Sequence, residues 1–262
     1  MKPISFLLTV LLSSCLVFAQ RGTDLSKQRI VDLTYPFDSS TVYWPTAERF
    51  QLEKDFDGET EQGFYYSAYR YTAAEHGGTH IDAPVHFARG KNSVEQIPLK
   101  QLIGPGVVVD VTTQTQGSVD YQITTADLLA WERRNGRIPR GTILLLRTGF
   151  GQYYPDPKRY LGTADRGPEA VRDLHFPGLH PDAARWLTRN RSIKAIGLDT
   201  PSIDYGQSKL FESHQILFEQ NIPALENVAN LDKLPLKGFL IVALPMKIKG
   251  GSGAPLRIIA LL

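Results

Sequence analysis

A mixed α/β (α+β) fold follows from three features of the 262-residue chain. Residues 106–111 (GVVVDV) and 142–147 (TILLLR) are continuous apolar runs rich in branched side chains, as in strands buried on both faces. Few segments carry helix start and stop signals. Further strands follow the last predicted helix, at 239–244 and 256–262, which is more strand than a doubly wound sheet would hold.

The elements follow in order. Residues 29–33 (RIVDL) predict a strand, and Tyr43-Trp44-Pro45 a loop. Residues 63–73 (GFYYSAYRYTA) predict a strand rich in aromatic rings, of the kind that more often belong to a core. Residues 98–102 form a short bridge into the buried strand 106–111. Thr124 caps a helix that runs to about Asn135, and Gly136 ends it. After the strand 142–147, His180-Pro181-Asp182 opens a second helix, with proline at its first helical position. Residues 193–198 predict a strand, 212–220 an amphipathic helix and 231–235 a loop. The Gly250-Gly251-Ser252-Gly253 turn lacks the Lys-Ser/Thr of a phosphate loop, and no helix follows it. It predicts a close approach of backbone near a pocket.

With 29 basic and 27 acidic residues, the net charge of +2 leaves no broad cationic field for nucleic acid. Hydrophobic residues at 42% exclude wholesale disorder. One cysteine excludes a disulfide framework and a thiolate metal cluster. Residues 1–19 combine a basic start, a short apolar stretch and Val17-Phe18-Ala19 before a polar boundary, which predicts an export signal cleaved after Ala19. The stretch is short for a membrane span, so none is expected. Cleavage leaves 20–262 as one domain without cysteine, periplasmic or secreted. A lipoprotein anchored through Cys15 in Leu12-Ser13-Ser14-Cys15 is the alternative.

The chemistry concentrates in residues 76–86, HGGTHIDAPVH. Imidazole and carboxylate together are ligands for zinc, manganese or iron. Gly77, Gly78 and Pro84 argue against a helix. An extended strand fails too, because it would hold His76 and His80 roughly 13 Å apart, whereas two zinc-bound nitrogens are at most about 4.2 Å apart. The chain must therefore double back at Gly77-Gly78, where φ > 0 is tolerated. His80 and Asp82 share a strand face, and Pro84 can return His86 over the site. His214, on a predicted helix, and Glu226, at the end of an apolar run, complete a site that the window starts. His175 and His180 read as loop and helix-start residues. For the segment 199–204 (DTPSID), after a buried strand, pocket and turn roles remain equally open. No Gly-x-Ser-x-Gly elbow marks a serine hydrolase.

These residues resemble the cyclase-type metal-dependent hydrolases, a family that includes bacterial kynurenine formamidase and isatin hydrolase. The signature His-x-Gly-Thr-His-x-Asp-x-Pro-x-His stands as His76, Gly78, Thr79, His80, Asp82, Pro84 and His86. The likeness continues through 141–149, 197–204, His214, Glu226-Asn227 and 244–257. It implies a swivelling β/β/α fold and a homo-oligomer, dimer or tetramer. It implies His76, His80 and Asp82 on a first divalent ion, with Asp82 bridging to a second held by His214 and Glu226. The ion would be Zn²⁺ or Mn²⁺, one or two per chain, and His86 the acid–base residue. The expected activity is hydrolysis of a small aromatic amide, of arylformamidase type (N-formylkynurenine to kynurenine). An isatin-hydrolase-like lactam opener and an exported metal binder without catalysis are the alternatives. Tyr43, Trp44 and Phe64-Tyr65-Tyr66 could stack an aromatic substrate, although rings on a strand more often belong to a core. Two features depart from the family pattern: the export signal, and His180 at a helix start where a small hydroxyl residue is expected.

Overall fold

A computed structural model describes residues 27–262. The expected export signal, its cleavage site and Cys15 lie outside the described residues. In chain order the strands are β1 (Ile30–Asp32), β2 (Gln51–Glu59), β3 (Tyr65–Thr72), β4 (His80–Asp82), β5 (Ile103–Asp110), β6 (Gln122–Ile123), β7 (Ile143–Arg147), β8 (Gly178–Leu179), β9 (Ala195–Leu198), β10 (Ala224–Glu226), β11 (Lys237–Pro245) and β12 (Gly253–Leu261).

Eight of them form one mixed sheet in the order β1-β12-β11-β5-β7-β9-β10-β4. Its centre, β5, β7, β9 and β10, is parallel. β4 pairs antiparallel with β10 on one side and with Gly253–Pro255 of β12 on the other, so the sheet closes on itself like a barrel.

The parallel strands are apolar up to their last residues, Asp110, Arg147 and Glu226, because both faces are covered. Val108, Leu145 and Leu225 point into the closed sheet with Ile81, Ile241 and Ile258. Val107, Val109, Leu144, Leu146 and Ile196 point the other way, onto a helical layer that supplies Leu128, Trp131, Leu187, Leu217 and Phe218.

The helices of that layer start and stop where their punctuation predicts. Thr124 accepts from the Asp127 amide, Asp127 accepts from the Thr124 amide at 2.7 Å, and Gly136 ends the helix Thr125–Asn135 with φ +86°. At the helix Pro181–Asn190 the Nδ1 of His180 accepts from the Asp182 amide at 3.1 Å. The imidazole there does the work of the expected hydroxyl.

The segment 63–73 departs from expectation. It forms β3, but β3 pairs only with β2, in a two-stranded hairpin separate from the main sheet. Its rings are on the surface and not in a core: Phe64 is 56% and Tyr65 63% exposed. Inward packing needs a second layer, and none covers this hairpin among the described residues. No helix among the described residues is long and apolar enough to cross a membrane.

Candidate metal centre

Alternation along two short strands builds the site. Ile81 points into the closed sheet, so His80 and Asp82 point to the opposite face. β10 lies antiparallel beside β4, with Glu226 opposite His80. Leu225 points inward, which turns Glu226 to the same outer face. The helix Glu212–Phe218 supplies His214.

His76 arrives from the turn before β4, and the two glycines there act differently. Gly78 is left-handed, with φ +56°. Gly77 is not; a Cβ on it would lie 2.0 Å from the Tyr43 ring. The doubling-back therefore uses backbone freedom at Gly78 and close approach at Gly77. After Pro84 a single 3₁₀ turn, Pro84–His86, brings the His86 ring onto His76, with centroids 3.9 Å apart and planes 20° apart.

The five expected ligands converge as two groups sharing Asp82. The donor atoms of His76, His80 and Asp82 lie within 4.8 Å of one another, as do those of Asp82, His214 and Glu226. Asp82 Oδ1 is 2.7 Å from His76 Nδ1 and 3.0 Å from His80 Nε2, while Oδ2 is 3.3 Å from His214 Nε2. Glu226 lies 3.3 Å from His214 Nε2 and 3.5 Å from His80 Nε2.

Each imidazole is oriented through its other nitrogen. His80 Nδ1 donates to the Gly78 carbonyl at 2.9 Å. His214 Nδ1 donates to Asp204 at 2.6 Å. His76 Nε2 donates to Ser252 Oγ at 2.9 Å, whose own proton goes to Glu75 at 2.7 Å. The nitrogens left over all face the carboxylates, as ligand nitrogens require. His80 Nε2 is buried and has no hydrogen-bond partner among the described residues, because the Asp82 oxygen at 3.0 Å lies off the bonding direction. A cation between the carboxylates would satisfy that orphaned atom, so the donor set fits a divalent metal.

The electrostatics point the same way. Burial disfavours the charged form of His80, but the Asp82 carboxylate 3.0 Å away, with the Glu226 charge behind it, pushes it up to about 9. His214 is also buried, and Asp204, Asp82 and Glu226 raise it well above the ordinary value. Burial would raise Asp82, but His76, which shares a 2.7 Å hydrogen bond with it, and the His214 and His80 imidazoles beside it hold it well below the carboxylate range. Burial and the Asp82 charge raise Glu226. In the metal-free protein, protons stand in for positive charge.

Of the supports, the sequence points only to the segments that hold Asp204, the Ile203 amide that donates to Glu226 at 2.8 Å, and Ser252, without their roles, and it gives no signal for Glu75. The turn 199–204 divides its roles. Asp199 ties the backbone, accepting from the Thr148 and Gly149 amides at 2.7 and 2.8 Å, whereas Asp204 orients His214. The Gly-rich turn makes its expected close approach, since a Cβ on Gly253 would lie 2.5 Å from His76 Cε1. His175 pairs with Asp120 at 2.8 Å and His180 caps its helix, so neither joins the cluster.

A cavity of about 240 Å³ opens over the cluster, walled by Tyr43, Trp44, Phe87 and Phe211. Phe64, Tyr65 and Tyr66 do not line it. A larger cavity, about 530 Å³, lies by Arg147, Thr148 and Asp199 and touches none of the five donors. The smaller one is the candidate site, because it alone of the two holds the metal-type ligands.

The model of the family described as "Putative cyclase" matches residues 31–205. The isatin hydrolase of Roseibium aggregatum is 30% identical over 244 residues, covering 86% of this chain and 90% of that protein. A kynurenine formamidase of Bacillus cereus is 29% identical over 231 residues, covering 87% and 94%. Among solved structures, isatin hydrolase A from Ralstonia solanacearum matches with a TM-score of 0.80 and 33% identity, over 90% of this chain and 93% of that one. A buried cluster of imidazoles and carboxylates, set in a sheet shared with these enzymes over nearly its whole length, makes the chain a member of the cyclase family of metal-dependent hydrolases.

Proposed function

We propose that this hydrolase opens a small, uncharged aromatic amide, with a lactam of the isatin type ahead of the formylated amino acid N-formylkynurenine. The cavity wall carries this reading. Tyr43, Trp44, Phe87 and Phe211 offer ring faces, and no lysine or arginine is among the described residues that line it. An amino-acid head would bring a carboxylate into that enclosure with no lysine or arginine to pair it away from the ligand imidazoles, and an unpaired buried carboxylate costs several kcal/mol. A flat neutral ring meets no such penalty.

His76, His80 and Asp82 would hold one ion, and Asp82, His214 and Glu226 a second, zinc or manganese. When bound, a divalent ion lowers the pKa of coordinated water from 15.7 to about 7 and polarises a carbonyl oxygen. His86 carries the proton. Burial, with the neighbouring imidazoles, brings it down to about 4, so its ring is neutral at physiological pH. It accepts a proton from the attacking water as the new C–O bond forms, and returns it to the leaving nitrogen as C–N breaks. Such a role is worth roughly 10²–10⁴-fold. We propose further that the protein is exported by way of residues 1–19 and assembles as a dimer or tetramer.

The test is an assay of metal-loaded protein on isatin, N-formylaniline and N-formylkynurenine, with elemental analysis of the same sample. Turnover of the first two well ahead of the third is expected. Preference for N-formylkynurenine would overturn the substrate reading, and full activity after complete metal removal would overturn the reaction. Mass spectrometry of the mature N-terminus checks export, a chain beginning at Gln20 being the expected product.

A further inference from the structure

We infer that Phe211 is a specificity-determining residue of the metal-side cavity: its ring makes the site prefer a flat aromatic body to a saturated one of similar size. The backbone gives the first sign. Four non-glycine residues among those described have positive φ, namely Phe211, Asn221, Asn227 and Asn230. Asparagine tolerates the left-handed region because its short polar side chain bonds locally. Phenylalanine has no such compensation, and a bulky residue there is a steric outlier. Phe211 sits at φ +50° and ψ +44°, directly before the helix Glu212–Phe218 that carries His214.

Neighbouring hydrogen bonds hold that conformation. The Phe211 amide donates to Ser208 Oγ at 3.1 Å, and its carbonyl accepts from the Gln215 amide at 3.2 Å. Gln215 Nε2 donates to the preceding Leu210 carbonyl at 2.6 Å. Glycine would make the same turn without strain. Strain kept at one residue calls for a task that its side chain performs.

Core burial is not that task. Trp44 and Phe87 each pack against a buried cluster and Tyr43 covers Gly77, whereas Phe211 joins no buried cluster among the described residues. Its ring lines the cavity. The ring centroid lies 6.2 Å from Trp44 and 5.3 Å from Phe87, two rings that have no contact with one another among the described residues. Phe211 therefore bridges the two sides of the wall. It also stands three residues before His214, edge-on to that imidazole at 6.1 Å. One short helix thus fixes both a ring face and a proposed metal ligand, so a ring resting on Phe211 is set in register with the ion. Offset or edge-to-face contact between aromatic rings gains more than the buried area alone, and a saturated ring forgoes that gain.

This inference rests on the aromatic-amide reading above and assigns its ring selection to one residue. The test is calorimetric titration of metal-loaded full chain with benzohydroxamate and with cyclohexanecarbohydroxamate, which share a metal-binding head and differ in the ring. Wild type should bind the aromatic ligand more tightly. Phe211→Leu keeps apolar bulk without a ring face, and should reduce that preference by about two- to tenfold with its metal content unchanged. A merely structural role would weaken both ligands alike and leave the ratio where it was. Urea denaturation checks the strain: Phe211→Gly should be at least as stable as Phe211→Ala, because alanine keeps the left-handed penalty that glycine escapes. If both ligands bind but wild type shows no aromatic preference, or Phe211→Leu shifts the ratio less than twofold, the inference falls and the metal centre stands. Loss of metal in Phe211→Leu would make the residue a support of His214 and overturn the assignment, and a Phe211→Ala protein more stable than Phe211→Gly would overturn the strained placement. If neither hydroxamate binds metal-loaded wild type, ring selection and the amide reading fall together.

Discussion

Asp204→Asn should weaken metal binding ten- to hundred-fold although residue 204 is not placed among the ligands. The Asp204 carboxylate accepts three hydrogen bonds: from the Ser213 amide at 3.1 Å, the His214 amide at 3.2 Å and His214 Nδ1 at 2.6 Å. An asparagine keeps one acceptor oxygen. If that oxygen stays with the His214 ring, its NH₂ confronts the Ser213 amide, leaving two donors face to face at a cost of about 1–3 kcal/mol. If it turns the other way, the ring loses its partner and Nε2 is no longer aimed at Asp82 and Glu226. Loss of such a support typically costs 10–100-fold in metal affinity, or about 1.4–2.7 kcal/mol. The assay is competition against a chromophoric chelator, with circular dichroism to confirm the fold. Asp199→Asn is the control, being equally buried and equally well bonded, but to Thr148 and Gly149. It should lose stability and keep its affinity for metal. An Asp204→Asn protein within twofold of wild type, or an Asp199→Asn protein equally impaired, would refute the orienting role.

His80→Ala should lose metal and turnover together, whereas His86→Ala should keep its metal and lose roughly 10²–10⁴-fold in rate; elemental analysis beside steady-state rates separates the two. The raised pKa of His80, about 9 against an ordinary 6.5, predicts that the metal-free protein carries a proton there at pH 7.5, which metal must displace. Calorimetry in buffers of different ionisation enthalpy should therefore report at least one proton released per chain, and none released would contradict the proton-for-metal exchange. The same shift stabilises the metal-free fold fully below about pH 6.5 and ceases to do so as pH rises through about 9. Chemical denaturation of metal-free protein across that window should show the decline. Gly253→Ala puts a methyl group 2.5 Å from His76 Cε1, an overpacking of about 1–3 kcal/mol. Metal retention should fall while the far-ultraviolet spectrum holds, and unchanged retention would show that His76 has room to move.

What was legible in the sequence was local. Thr124 and Gly136 bracket their helix, and the doubly covered strands 143–147 and 195–198 advertise themselves by unbroken apolar character. The 76–86 window could be folded on paper because metal geometry admits few paths between two ligands four residues apart. His214 and Glu226 lie far away in the chain and gain meaning only beside that window. β2 was missed because QLEKDFDGE has no apolar face to give a period of two. The aromatic strand β3 was placed inside because composition cannot say whether a second layer exists. Asp199 and Asp204 look alike in sequence, two carboxylates after one buried strand, and only tertiary contact tells which meets His214. Ser252, 176 residues from the imidazole that it steadies, gave no local signal beyond its glycine neighbours.

The site also explains how the sheet closes. β4 has three residues, yet it joins β10 on one side and β12 on the other. Backbone pairing of that length is a weak seam. The ligands fall across it: His80 and Asp82 from β4, Glu226 from β10, and His76 steadied by Ser252 just before β12. Two buried carboxylates facing one another would push the seam apart, and Glu226 is raised by its burial first and by the Asp82 charge second. Protons on His80 and His214 relieve the repulsion in the metal-free protein, and a divalent cation can do so without depending on pH in the same way. Metal binding and sheet closure therefore draw on the same few side chains. A catalytic centre at this seam would have rigid strands beneath it, because the residues proposed to hold its metal also lie on the strands that close the sheet.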